Sequence, residues 1–199
     1  MKLPNKKYNI IYADPPWRYY NYKDDTASRW VGNQYPLMAV EDICNLPVAE
    51  IADDNCILFL WTTAPTFPDA FKVIKAWGFQ YKTKAFCWVK QNKKTPSLFW
   101  GMGYWTRSNT EDVLLAVKGK NKRINAGIHQ VIISPVSNHS QKPAIVRNRI
   151  VQLCGNLPRI ELFARQTVEG WDAWGKDAPK KSLKKDNFRC PHFKLFEKE

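Results

Sequence analysis

YNIIYADPPW, residues 8–17, joins an apolar run to an acid, two prolines and a tryptophan. The run YNIIYA at its start predicts a buried β-strand, because short apolar runs bounded by turn residues are typical of strands covered on both faces. Pro15 and Pro16 fix their φ angles and lack backbone N–H groups, and a residue before a proline is kept out of the α region. The sequence therefore predicts a stiff, extended turn that holds Asp14 at one end and Trp17 at the other.

Strand-like and helix-like segments alternate along the rest of the chain. Further strands are predicted at 55–63, 79–90, 111–119, 129–136 and 157–164. Helices are predicted at 38–46, 66–78 and 142–155. This alternation predicts an α/β fold, a Rossmann-like sheet with helices on both faces. Open α/β sheets bind ligands at the carboxyl ends of their strands, which is where the ADPPW turn lies.

The chain is strongly basic. Its 199 residues include 31 Lys and Arg against 18 Asp and Glu, which gives a formal net charge of +13. Such a surplus attracts polyanions and favours a nucleic-acid partner, the alternative being a merely soluble basic protein. The length is typical of one domain. We expect residues 1–177 to form that domain and residues 178–199 to be a basic C-terminal tail.

The five cysteines indicate reduced thiols rather than a disulfide framework or a zinc cluster. Their number is odd and no two have CxxC spacing, so a cytosolic environment is predicted. Cys190 and His192 have no second pair of ligands nearby, and we predict no metal. The N-terminal apolar run is too short for a signal peptide, and no stretch is long enough to span a membrane.

An Asp-Pro-Pro-Trp turn suits chemistry on the exocyclic amine of adenine. That amine is a poor nucleophile, because its lone pair is delocalised into the ring. The Asp14 carboxylate could accept one amine proton and the Pro15 carbonyl the other, and the fixed negative oxygens would stabilise the positive charge that develops on the amine. Trp17 could stack on an extruded base. The alternative is an ordinary Asp-Pro turn beside a core tryptophan.

Further motifs along the chain support a specific interpretation of ADPPW. They are FLWTT (59–63), WGF (77–79), WVK (88–90), GYWTR (103–107), VKG (117–119), SNHSQKP (137–143) and IELFAR (160–165). Together with ADPPW they resemble the MT-A family of adenine-N6 methyltransferases, typified by the catalytic subunit of the eukaryotic messenger-RNA methyladenosine writer. The resemblance spans roughly residues 8 to 177. It implies a methyltransferase sheet with S-adenosylmethionine as the cofactor.

The resemblance assigns site roles by position. The catalytic residues would be Asp14, Pro15, Pro16 and Trp17. The cofactor would be held by Lys142, Phe163, Arg165, Ser140, His139 and Asp177. Lys142 would meet the cofactor carboxylate and Arg165 its ribose, although each could also be a solvated surface charge. Glu161 would support the end of its strand from within the site.

Substrate contacts are expected in the polar, aromatic loop 18–36 and the basic loop 90–107. The candidates are Tyr35, Glu111, Arg29, Lys93, Lys94 and Arg107. The resemblance assigns Tyr35 and Glu111 to the target pocket, and Glu111 could instead be a plain strand-edge charge. The four basic residues are candidates for phosphate contacts. Solvated loop charges are the alternative for them.

The order of the motifs also matters. The catalytic turn precedes the IELFAR strand, which resembles the permuted arrangement of amino-methyltransferases. No GxGxxG motif is present, so a nicotinamide cofactor has no support. The family's usual pairs after the IELFAR and GWDAWG segments are replaced by Gln166-Thr167 and Lys176-Asp177. These departures concern recognition of the cofactor's adenosine rather than the reaction.

We therefore predict an S-adenosylmethionine-dependent adenine-N6 methyltransferase of the stand-alone phage or bacterial type. DNA is favoured as the substrate, by analogy with compact members of the family. The alternatives are an RNA adenosine-N6 methyltransferase and a non-catalytic nucleic-acid-binding partner subunit. The sequence leaves open whether the chain pairs with a second copy or with a methyltransferase-like subunit. The expected location is the cytoplasm, that of the bacterial host if the protein is phage-encoded.

Overall fold

The structure, a computed structural model, describes residues 2–18, 37–101, 103, 105–137 and 141–175. The strands within these ranges are β1 Tyr8–Ala13, β2 Ala52–Thr62, β3 Gln80–Gln91, β4 Thr110–Lys118, β5 Val131–Pro135, β6 Arg159–Leu162 and β7 Asp172–Trp174. The α-helices are α1 Val40–Cys44, α2 Val48–Ile51, α3 Phe67–Ala76 and α4 Ile145–Cys154. A 3₁₀ turn at Ala64–Thr66 leads into α3.

The seven strands form one mixed sheet in the order β5-β3-β4-β2-β1-β6-β7. Strand β4 is antiparallel to both of its neighbours, β2 and β3. The remaining neighbours pair in parallel. Six strands therefore run in one direction and end at one edge of the sheet, where β4 begins. We call this the carboxyl edge.

Helices cover both faces of the sheet, as predicted. Side chains of β1 and β2 alternate between two hydrophobic clusters, as strand geometry requires. Ile11 and Leu58 belong to the cluster that contains residues of α1, α2 and α3. Ile10 and Phe59 belong to the cluster that contains residues of α4. The α/β prediction is confirmed.

The predicted elements differ from the observed ones mainly at helix ends. The helix predicted at 38–46 is only α1, and the chain continues past Pro47 into α2, which was not predicted. The helix predicted from residue 142 begins at Ile145, so Lys142 lies in the segment that precedes it. Strand β7 was also missed, because its three residues are too few to show an alternating pattern.

Two predicted features lie outside the described residues. They are most of the loop 18–36 and the whole tail 178–199. Among the residues that are described, none of the helices is long and apolar enough to cross a membrane. In the same residues, His, Cys, Asp and Glu side chains form no group of three or more that could hold a metal ion.

Candidate active site

The ADPPW turn leaves β1 at the carboxyl edge and is fixed there by backbone hydrogen bonds. The backbone N–H of Asp14 donates to the carbonyl of Leu162, the last residue of β6, at 3.5 Å. The carbonyl of Pro15 accepts the N–H of Trp17 at 2.9 Å. The next carbonyl, of Pro16, accepts the N–H of Met38, also at 2.9 Å. The turn is therefore tied to β6 on one side and to the segment before α1 on the other.

Trp17 lies beneath this turn rather than on the surface. Its indole is only 5% exposed and packs in the cluster that contains α1, α2 and α3. Its Nε1–H donates to the carbonyl of Trp61 in β2 at 3.0 Å. Because both the face and the polar atom of the ring are used in the core, this position favours a supporting role. Stacking of a base on Trp17 stays a prediction.

Lys142 points at the carboxylate of the turn. Its Nζ is 2.8 Å from Oδ2 of Asp14 and 3.2 Å from Oε2 of Glu111. The same ammonium lies 5.3 Å from the ring centroid of Trp61. The three charged side chains are largely buried, so the structure brings together three residues that the sequence placed in separate roles.

Glu111 carries a second cation. It is the second residue of β4 and lies opposite Trp88 of β3. Lys90, two residues further along β3, places its Nζ 2.5 Å from Oε1 of Glu111 and 5.3 Å from the ring centroid of Trp88. The alternation of Lys90, Glu111, Lys142 and Asp14 forms a continuous row of charges, which we call the charged centre.

Burial and neighbouring charges set the proton affinities in the charged centre. Burial alone would raise the pKa of Glu111, but Lys142 and Lys90 outweigh it and hold that pKa below its usual value. Burial alone would lower the pKa of Lys142, but Asp14 and Glu111 outweigh it and raise that pKa. Among the described residues Asp14 forms an ion pair only with Lys142, which it shares with Glu111. Burial therefore dominates and raises the pKa of Asp14 despite the attraction of Lys142.

A second buried ion pair lies beside the turn. Arg147 of α4 is 5% exposed, and its Nη1 is 3.2 Å from Oε2 of Glu161 in β6. Burial raises the pKa of Glu161, and Arg147 opposes that rise. Tyr12 lies opposite Glu161 in the sheet, and its hydroxyl accepts the Nε1–H of Trp61 at 2.6 Å. The Nη2 of Arg147 is buried without a hydrogen-bond partner among the described residues.

Arg147 and Lys90 are not among the site residues predicted from the sequence. Arg147 shares an i, i+3, i+7 register with Ile150 and Cys154, which are both buried. A charged residue on an otherwise apolar helical stripe was the available signal. Lys90 ends the WVK stretch at the carboxyl edge, but its pairing with Glu111 depends on a strand register that the sequence does not reveal.

The chain bends sharply after β6, where the resemblance places two cofactor residues. Phe163 has a φ of 61°, in the left-handed region that non-glycine residues seldom adopt. Its ring packs edge-on against Trp174, with centroids 5.5 Å apart. A side chain at Gly175 would place its Cβ 2.4 Å from the carbonyl oxygen of Ala164, so only glycine fits there. Arg165 is exposed just beyond the bend and acts to lower the pKa of Asp14.

The ion pairs of the charged centre involve none of the described residues that are predicted to contact phosphates. Lys93, Lys94 and Arg107 are exposed on the chain between β3 and β4. Arg107 lies over the ring of Trp100, 5.6 Å from its centroid. The remaining residues predicted to contact phosphate, cofactor or target base fall outside the described residues. These are Arg29, Tyr35, His139, Ser140 and Asp177.

Comparison with known proteins identifies the family. The MT-A70 family model matches residues 8–177, which contain the whole described sheet. The chain belongs to the MT-A70 family. It is therefore a member of a methyltransferase family, as the ADPPW turn and the ordered stretches predicted.

Individual relatives of this MT-A70 member include bacterial and eukaryotic proteins. The type II methyltransferase M.MunI of Mycoplasma sp is 36% identical over 195 residues, which cover 89% of this chain and 81% of the relative. The N(6)-adenosine-methyltransferase MT-A70-like protein of Drosophila melanogaster is 28% identical over 161 residues. The non-catalytic subunit MTB of the Arabidopsis thaliana N6-adenosine-methyltransferase is 30% identical over 147 residues.

The matches with these two eukaryotic proteins cover a large part of this chain and a small part of the relatives. They include 80% and 71% of this chain but only 24% and 18% of the relatives. The chain thus spans most of the length of M.MunI and less than a quarter of the two eukaryotic proteins.

Proposed function

We propose that this protein transfers a methyl group from S-adenosylmethionine to the exocyclic N6 amine of adenine in DNA. The observation that carries the proposal is the position of Asp14. Its carboxylate stands at the carboxyl edge on a turn fixed by two prolines, 2.8 Å from Lys142. A carboxylate held in this way can accept a proton from an amine without moving.

The charged residues fit the proposed cofactor. S-adenosylmethionine, when bound, supplies an electrophilic methyl group on its sulfonium, and its amino-acid end carries a carboxylate and an ammonium. Lys142 is the proposed partner of the carboxylate, and the buried Nη2 of Arg147 is a second available donor. Asp14 and Glu161 would supply negative charge opposite the sulfonium and the ammonium of the cofactor. Phe163 and Arg165, beyond β6, remain the proposed contacts of the adenosine half, together with His139, Ser140 and Asp177.

The adenine amine is assigned to the turn itself. Asp14 would accept one amine proton and the Pro15 carbonyl the other. The Pro15 carbonyl already accepts the N–H of Trp17, but a carbonyl oxygen has two lone pairs and can take a second donor. Because prolines hold both acceptors in place, they face the amine as it gains positive charge. Tyr35 and Glu111 are proposed to line the same pocket.

A nucleic-acid substrate is supported by the net charge of +13 and by the exposed Lys93, Lys94 and Arg107; Arg29 is proposed with them. We propose DNA rather than RNA because this chain matches the compact type II methyltransferase M.MunI over most of its length. The Drosophila relative, which is named for N(6)-adenosine, is about four times as long as the part that matches this chain. The proposed domain is residues 1–177, and the proposed location is the cytoplasm. A second copy or a methyltransferase-like subunit is a proposed partner.

A non-catalytic role is the second candidate, favoured by the similarity to the MTB subunit. The intact DPPW sequence and the pairing of Asp14 with Lys142 favour catalysis instead. The deciding experiment offers labelled S-adenosylmethionine with matched single- and double-stranded DNA and RNA oligonucleotides, followed by nucleoside analysis. We expect N6-methyladenine in DNA. Label in RNA alone would establish the RNA alternative, and no label in any substrate would favour the non-catalytic one.

A further inference from the structure

Residues 92–109 leave the sheet at the carboxyl edge, between the end of β3 and the start of β4. We call the described residues among them, 92–101, 103 and 105–109, the tryptophan loop. The backbone N–H of Lys90, just before the loop, donates to the carbonyl of Asn109 at its end, at 2.8 Å. Lys90 and Glu111 on either side of the loop also form an ion pair in the charged centre. The loop therefore begins and ends beside the proposed active site.

Two tryptophans of this loop are presented to solvent. Trp105 is 93% exposed and Trp100 is 74% exposed. An indole buries a large apolar area when it packs, as those of Trp61 and Trp77 do in the core, whereas most of the surface of Trp100 and Trp105 is accessible to solvent. Two large apolar side chains exposed on one loop are candidates for an interaction site.

Backbone hydrogen bonds and one close approach within the chain hold the loop in shape. The N–H of Asn92 donates to the carbonyl of Ser97 at 2.9 Å, and the N–H of Phe99 donates to the carbonyl of Lys90 at 2.8 Å. Further out, a Cβ at Gly101 would lie 1.6 Å from the carbonyl oxygen of Ser108. The backbone at Gly101 and the backbone at Ser108 therefore approach so closely that only glycine fits. Trp105 lies between these two positions in the chain. A preordered loop loses less conformational entropy when it binds.

The charges of the loop indicate which kind of molecule binds to it. Lys93, Lys94 and Arg107 are exposed, and the stretch 92–109 contains no Asp or Glu. Indole faces combined with exposed cations suit nucleic acid, since bases stack on the rings and phosphates meet the cations. A second copy of this chain suits the surface less well, because two copies of net charge +13 repel each other.

We propose that Trp105 and Trp100 stack on unpaired bases of the substrate strand that flank the target adenine. This inference rests on the proposed function, since it assumes a nucleic-acid substrate. It adds a contact to base faces, where Lys93, Lys94 and Arg107 are assigned only to phosphates. Stacking does not require a particular base, so the contact would add affinity for unstacked nucleotides with little sequence preference.

The test compares two single-stranded oligonucleotides that have the same number of phosphates. One has ordinary bases on both sides of a single adenine, and the other has abasic residues there. Binding is measured for wild type, Trp105→Ala, Trp100→Ala and the double variant. Each single change should weaken binding of the ordinary strand about 5- to 100-fold, with little effect on the abasic strand. Trp105→Phe should retain part of the affinity.

Ile124→Ala is the matched control. Ile124 is 71% exposed on the connection between β4 and β5, at the opposite edge of the sheet, and its loss should leave binding unchanged. Equal binding by wild type and the tryptophan variants would overturn the inference alone, as would equal losses on both strands. Failure of wild type to bind any oligonucleotide would overturn the proposed function with it. A dimer that dissociates in Trp105→Ala, with oligonucleotide affinity unchanged, would instead assign the loop to self-association.

Discussion

The charged centre and the tryptophan loop lie at the same edge of the sheet but differ in whether their charges are buried and paired. In the charged centre, Lys142 lies within 3.2 Å of the carboxylates of both Asp14 and Glu111, and the three groups are largely buried. In the loop, Lys93 and Lys94 are exposed and have no acidic neighbour in the stretch 92–109. Buried charges are costly unless they are paired, whereas exposed charges remain available to a polyanion.

This difference separates two tasks. Paired, buried groups stay in one geometry, which is what a reacting amine and a small cofactor require. Exposed cations attract phosphates over longer distances, and this attraction depends on ionic strength. We therefore expect changes in the charged centre to alter turnover or cofactor binding. Changes in the loop should alter only the binding of nucleic acid.

The largest effect is expected from Asp14→Asn. The amide is a neutral and partly misdirected acceptor, so the developing positive charge on the amine loses its stabilisation. Methyl transfer at saturating substrates should fall by about 10²–10³-fold. Turnover is measured with labelled cofactor, and cofactor affinity and the thermal unfolding midpoint are measured in parallel to show that the fold is kept.

Asp69→Asn serves as the control for this prediction. Asp69 is a carboxylate in the first turn of α3 that pairs with Lys72 rather than with a residue of the charged centre, and its loss should leave turnover unchanged. Near-normal turnover of purified Asp14→Asn would remove Asp14 from the reaction and would break the proposed division between the two regions.

Lys142→Ala should have the next largest effect. The cofactor carboxylate would lose a charge-assisted partner worth about 1.5–3 kcal/mol, which is about 10- to 150-fold in the dissociation constant. Calorimetric titration with the cofactor measures the change. Lys72→Ala, at an exposed pair on α3, should leave the affinity unchanged. Wild-type affinity in Lys142→Ala would show that the carboxylate is held by another residue, for which Arg147 is the next candidate.

A smaller effect is expected from changing Lys93 and Lys94 to Ala. If both meet phosphates, binding of all sequences should weaken alike, and the slope of log affinity against log salt should flatten by about one unit for each phosphate that is no longer neutralised. Cofactor affinity should not change. The double change Lys72→Ala with Lys75→Ala, on exposed positions of α3, controls for net charge. Identical salt slopes in all three proteins would mean that Lys93 and Lys94 are merely solvated.

The local parts of this site were predictable from the sequence, and the long-range parts were not. Strand β1 was predicted with the bounds it has, because its apolar run is ended by a turn that prolines make unambiguous. The pairing of Lys90 with Glu111 depends on the register between β3 and β4, which shifts at two irregularities, one between Tyr81 and Thr83 and the other between Lys84 and Phe86. Such shifts leave no mark in a hydrophobic pattern.

Arg147 and Trp17 show a second reason why the site could not be predicted fully from the sequence. Arg147 is buried because Glu161, on a strand that follows it in the chain, lies within reach to compensate its charge. Trp17 follows a turn that carries chemistry, yet its ring is taken up by the core and by the carbonyl of Trp61. In both cases the partner is distant in sequence, so the residue type alone could not decide between surface and interior.

The smallest predicted effect concerns the acid limb of the pH profile, and it tests the charged centre most finely. Asp14 must be ionised to accept an amine proton, so turnover falls as the pH drops through its pKa. Burial raises that pKa, Lys142 lowers it and Glu111 raises it. Replacing Glu111 by Gln removes a negative neighbour, which lowers the pKa of Asp14. The acid limb of kcat, measured at saturating cofactor and substrate, should therefore move to lower pH. Glu41→Gln, on the exposed side of α1, should leave the limb in place. A limb that stays where it is in Glu111→Gln, or that moves to higher pH, would show that another group than Asp14 controls the acid side.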